Sequence, residues 1–132
     1  MKIIYDFPPN IEEIKRYFSI NKNTVFTYRD LYNPNHNEIS PILLAHEETH
    51  ARQQGDKVEE WWGRYLIDRD FVFSQEVEAY QNQFKFFCGV FKDRNTQTRF
   101  LNTIASDLSG ELYGNLCSMS EAVKIILDRN KK

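Results

Sequence analysis

Between Ser40 and Gly55 the sequence marks both ends of one helix, and what lies inside it constrains the fold more than any other stretch. Ser40 is a favourable N-cap, and Pro41 suits the first helical position, where its missing N–H has no partner to lose. Gly55, after Gln53-Gln54, is a C′ stop. The expected helix, about 41–54, opens with the core formers Ile42, Leu43, Leu44 and Ala45. His46-Glu47-Glu48-Thr49-His50 then falls in its rigid interior.

Residues four apart on a helix stand one above the other, so His46 and His50 can face a single ion. Glu47 follows the first of them on the same side. This is the H-E-x-x-H pattern, in which two imidazoles hold zinc and the glutamate serves as general base. Zinc lowers the pKa of a bound water to roughly 7, and Glu47 would take its proton as the water attacks a carbonyl. The bland alternative is a solvated helix with two surface histidines.

At 132 residues the chain is long enough to bury an ordinary core, and one domain spanning 1–132 is expected. Seventeen Lys and Arg against nineteen Asp and Glu leave a net charge of −2, with no basic field for nucleic acid. The start, Met1-Lys2-Ile3-Ile4-Tyr5-Asp6, lacks the apolar core of a secretory signal. No stretch is apolar enough to span a membrane. Cys88 and Cys117 are too few and too far apart for a disulfide framework and read as two free thiols. The expectation is a cytoplasmic protein without membrane or nucleic-acid partners.

In chain order, Ile11, Ile14, Tyr17 and Phe18 predict a short helix over 10–18, after an extended lead at 1–8. The β-branched and aromatic run Thr24-Val25-Phe26-Thr27-Tyr28 predicts a strand, with Leu31-Tyr32 as its partner. His36, in the polar loop Asn35-His36-Asn37-Glu38, is the remaining histidine and a residual metal ligand. Asp56 would cap a helix over about 57–67, carrying Val58, Trp61, Trp62, Tyr65 and Leu66. Its tryptophans are expected as core rather than as a substrate platform.

Asp68-Arg69-Asp70 reads as a break, and Ser74 as the N-cap of a long helix over about 75–91. Val77, Tyr80, Phe84, Phe87 and Phe91 would form its apolar face. Glu76 borders that face, and Glu78 points to water. A helix near 96–107 and the glycine-bracketed loop 108–115 follow. Ser118 and Glu121 then form a capping box for a last helix.

A catalytic zinc needs three protein ligands and one open position. The sequence here resembles the gluzincins, in which H-E-x-x-H is followed by a zinc-binding Glu on a second helix. Leu44-Ala45-His46-Glu47-Glu48-Thr49-His50 matches the first motif, and Glu76-Val77-Glu78-Ala79 looks like the E-x-x-A segment of several branches. The length is similar to that of the minigluzincins, and residues 41–83 are similar to small metallopeptidases encoded by phages.

The resemblance implies a zincin-like α+β fold, mostly helical, with a small N-terminal sheet. It also implies one zinc ion held by His46, His50 and Glu76, and a peptide or protein substrate. In the family the E-x-x-A segment usually continues with an Asp that orients a ligating histidine, and here that place holds Tyr80. Asp56 competes with Glu76 through the metzincin pattern. That pattern needs a Gly at position 53, where this chain has Gln.

Tyr113 and Tyr80 are candidates to stabilise the oxyanion, against the alternative of ordinary packed tyrosines. The strand at 24–28 could bind an extended peptide by its edge. The expected activity is zinc-dependent peptide hydrolysis. A catalytically silent zinc-binding structural protein, or a zymogen blocked by its own C-terminal segment, are the alternatives.

Overall fold

The computed structural model describes residues 1–9, 12 and 25–128, so the helix expected over 10–18 lies outside the described residues apart from Glu12, which is helical. The architecture is α+β and mostly helical, with one three-stranded sheet. The chain divides into two compact units, Met1–Asp68 and Arg69–Lys132.

The first unit holds the sheet. Its strands are β1 (Ile3–Ile4), β2 (Phe26–Tyr28) and β3 (Asp30–Tyr32), in the order β1-β3-β2. β1 runs parallel to β3, a pairing the sequence did not suggest for so short a run, and β2 is antiparallel to β3. Leu31 N–H donates to Lys2 C=O at 2.9 Å, and Asn33 N–H to Ile4 C=O at 2.7 Å. Leu31 therefore faces β1 with its backbone, and Asp30 and Tyr32 face β2. Thr27 lies opposite Leu31 and so directs its own backbone away from β3, to the far side of β2.

Arg29 alone separates β2 from β3, at φ 65°, a left-handed conformation that strains a non-glycine residue. Its N–H is held by Gln54 Oε1 at 2.6 Å.

Helix α1 (Pro41–Gln54) has the ends the sequence marks. Ser40 Oγ accepts from Leu43 N–H at 3.1 Å, and Gly55, at φ 55°, donates to Ala51 C=O. Helix α2 (Val58–Tyr65) begins without a side-chain cap, so Asp56 does not serve there. Glu59 and Glu60 in its first turn suit the positive end of the helix dipole instead. Val58, Trp61, Trp62 and Tyr65 are buried, which assigns both tryptophans to the core.

In the second unit, α3 (Arg69–Val90), α4 (Arg94–Leu108) and α5 (Met119–Leu127) pack pairwise against one another, with a 3-10 turn at Glu111–Tyr113. α3 starts six residues before the expected position. Ser74 is not its cap: the Oγ donates back to Phe71 C=O at 2.7 Å, inside the helix. The buried line of α3 is Val72, Glu76, Ala79, Tyr80, Gln83 and Phe87, which puts Glu76 within the buried face rather than beside it. Glu78 is exposed, as expected.

Phe87 stacks on Phe100 with ring centroids 4.0 Å apart, joining α3 to α4. Asp93 caps α4 through Thr96, and the Ser118–Glu121 capping box is formed at α5. Cys88 and Cys117 are free and half-buried. Burial pushes both thiols up; Lys92 draws Cys88 back, and Glu121 raises Cys117 further. No helix among the described residues is long and apolar enough to cross a membrane.

Candidate metal centre

The buried side chains of α1 are His46, Thr49, His50 and Gln54, all polar, while Ile42, Leu43 and Leu44 are only half-buried. Packing alone would bury the aliphatic residues and expose the polar ones, so a buried polar face is the informative observation. Each of these groups gives up water and needs a compensating partner.

His46 is 7% exposed and His50 5%, which rules out two solvated surface histidines. Their ring centroids lie 4.9 Å apart and their planes cross at 78°, as expected for side chains one turn apart on one face. Nε2 of His46 is 3.9 Å from Glu47 Oε2. One ligand atom from each of His46, Glu47 and His50 lies within 4.8 Å of the others, close enough for the group to bind a metal ion.

The rest of the first unit fixes this group. Thr27 Oγ1 on β2 donates to Glu47 Oε1 at 2.9 Å, so the sheet holds the carboxylate. The Thr27 carbonyl, directed off the sheet edge, accepts from Gln54 Nε2 at 2.6 Å and from Trp62 Nε1 at 3.0 Å. Gln54, 2% exposed, thus bonds Thr27 C=O with its donor end and Arg29 N–H with its acceptor end. This end-to-end pairing fastens the last residue of α1 to the β2–β3 turn.

It also occupies the central outward carbonyl of the edge expected to receive a peptide, so edge binding cannot use that group. Trp61 lies beside His50, with centroids 5.4 Å apart and planes tilted at 58°, and stacks in turn on Tyr65 at 4.6 Å. One wall of the histidine pair is therefore aromatic. At the far end of α1, His50 Nδ1 lies 2.8 Å from Gln53 Oε1.

The other sequence candidates divide. His36 is exposed at φ 53°, its ring stacked on Tyr5 at 4.8 Å and 7°, and it is not part of the cluster. Asp56, exposed in the turn after α1, is not part of it either. In the second unit, Glu76 is 2% exposed in α3, and Tyr80 stands one turn further along the same face. The hydroxyls of Tyr80 and Tyr113 lie 3.3 Å apart, so the two tyrosines named as oxyanion donors share one hydrogen bond. Gly114, at φ 83°, ends the 3-10 turn behind Tyr113.

Thr27, Gln53 and Gln54 had no place among the residues picked from sequence. Only Gln53 carried a readable signal, an accepting amide three residues after a histidine on one helix. Comparison of the chain with protein-family models, curated proteins and solved structures returned no match.

Proposed function

We propose that this chain is a zinc-dependent metallopeptidase, with a peptide or protein as substrate and Glu47 as its general base. The observation that carries the reading is the buried pair His46 and His50, one turn apart, with the Glu47 carboxylate beside them and anchored by Thr27. A helix with that inner face is arranged for chemistry rather than for packing.

His46 and His50 would hold the ion. Two imidazole nitrogens and a carboxylate oxygen form a donor set suited to Zn²⁺. Bound there, the ion would supply Lewis acidity, polarising a water and a peptide carbonyl. Glu47 would accept the proton of the attacking water and deliver it to the departing amine. The Thr27 hydroxyl keeps the carboxylate oriented for both transfers.

For the third ligand we carry forward Glu76, on the match of Glu76-Val77-Glu78-Ala79 to the gluzincin segment. Its burial is consistent with a compensated charge, since carboxylates are almost never fully buried unless paired or on a metal. Tyr113 is carried forward as the oxyanion donor, on sequence grounds, with Tyr80 as its hydrogen-bond partner.

The test is zinc stoichiometry together with cleavage of fluorescein-labelled casein. Wild type should hold one zinc per chain and cleave casein. Glu47→Gln should keep the zinc and lose cleavage. His46→Ala should lose both, and Glu76→Ala should lose zinc if that carboxylate is a ligand. Undiminished cleavage by Glu47→Gln would overturn the mechanism. Zinc uptake without cleavage in wild type would favour a silent metal-binding protein.

A further inference from the structure

The contact between Gln53 and His50 has a consequence for the metal centre proposed above, on which this inference rests. A neutral imidazole carries one N–H, on Nδ1 or on Nε2, and the hydrogen bond made by one nitrogen decides which. His50 Nδ1 faces the amide oxygen of Gln53 at 2.8 Å. An amide oxygen accepts and never donates, so this contact is a hydrogen bond only when Nδ1 carries the proton, which in the neutral ring leaves the lone pair on Nε2.

The ring is also confined. His46 crosses it at 78° with centroids 4.9 Å apart, and Trp61 lies against it at 5.4 Å. With rotation hindered on two sides, the remaining freedom is which nitrogen holds the proton. We propose that Gln53 is a positioning residue: it holds His50 as the Nδ1–H tautomer, so that Nε2 is the atom offered to the ion.

The group that orients a ligating imidazole is commonly a carboxylate or a carbonyl from elsewhere in the fold. Here it comes from the same helix, three residues on. The arrangement therefore survives wherever α1 itself is folded. It also requires the Gln53 side chain to stay on the His50 face, which the i, i+3 spacing provides.

Two measurements on the full chain test this, with Gln53→Leu and Gln53→Glu beside wild type. The first is imidazole ¹⁵N NMR of the metal-free proteins at mildly alkaline pH. Wild type and Gln53→Glu should show His50 as the Nδ1–H tautomer, and Gln53→Leu should lose that preference. The second is zinc affinity, by competition with a chromophoric chelator. Gln53→Leu should bind about ten- to a hundredfold more weakly, and Gln53→Glu should restore binding.

Far-UV circular dichroism checks that α1 is intact in each variant. A wild type protonated at Nε2, or a Gln53→Leu variant that keeps both tautomer and affinity, overturns the role of Gln53 alone. A wild type that takes up no zinc overturns the metal centre itself, whatever the tautomer.

Discussion

The Thr27 hydroxyl donates to Glu47 Oε1 across 2.9 Å, linking the middle of a three-residue strand to the middle of a helix. The hydroxyl has one proton to give, and it is directed at the carboxylate that would act as base. Thr27→Val keeps the β-branched shape and removes only that donor. A hydrogen bond to a charged acceptor contributes about 1.5–3 kcal/mol, so urea unfolding should show a loss of that order. Thr27→Ser should recover most of it. Equal stability of the valine variant and wild type would show that the contact is idle.

Gln54 gives a comparable effect for a different reason. Its amide bonds both Arg29 N–H and Thr27 C=O, each at 2.6 Å. Thr27 C=O keeps Trp62 if Gln54 is lost, but Arg29 would lose an acceptor while held at φ 65°. Gln54→Leu should therefore destabilise the protein by about 2 kcal/mol or more, from an unsatisfied donor together with a strained turn. A urea midpoint within error of wild type would mean that the turn holds itself.

Acid sensitivity should trace to two helix starts in the second unit. The Thr96 backbone N–H, and then its hydroxyl, hold the Asp93 carboxyl below the usual range, and the Ser118 N–H and hydroxyl do the same for Glu121. A carboxyl whose folded pKa is depressed adds stability above its unfolded pKa of about 4, and that contribution is lost as pH falls through the folded value. Asp93→Asn with Glu121→Gln removes the titration and keeps side chains able to hydrogen-bond. Between about pH 5 and 3 the urea midpoint of wild type should fall more steeply than that of the double variant. Parallel curves would assign the acid sensitivity to other groups.

The contrast between these residues explains what could be read from sequence. The ends of α1 and the Ser118–Glu121 box were legible because capping is local chemistry, completed within four residues. The pattern His46, Glu47, His50 was legible for the same reason, since one helix fixes their spacing. β1 was not, because two residues become a strand only through pairing with β3. Ser74 misled because a serine that donates inside a helix reads like one that caps it. Thr27 and Gln54 were hidden for the reason that makes them matter: their partners lie on other elements, brought together only by folding.

Gly114 tests the one glycine whose conformation and surroundings both resist a side chain. It sits at φ 83°, and an added Cβ would meet Arg69 Nη1 at 3.1 Å and Cδ at 3.2 Å. The arginine can swing aside, whereas the backbone strain stays, at about 1–2 kcal/mol for an L-residue in that region. Gly114→Ala should be destabilised by that amount in urea. The companion Gly89→Ala, with open space around its Cβ and a helical backbone, should be neutral or slightly stabilising. Matching losses at both positions would refute the strain argument.

Metal linkage offers the most direct check on the buried histidine pair. A ligand that binds only the folded state raises stability with its concentration, by about 2.7 kcal/mol at a hundred times its dissociation constant. Zinc should therefore raise the melting temperature of wild type, and EDTA should reverse the rise. His46→Ala and His50→Ala should show no response to zinc, while Glu47→Gln should still respond, because the role proposed for Glu47 is to move a proton. Trp61 supplies an independent signal: its ring lies 5.4 Å from that of His50, so metal entry should change the tryptophan emission. A zinc response that persists in both alanine variants would place the ion elsewhere on the chain. The absence of any response in wild type would leave two buried imidazoles serving the fold alone.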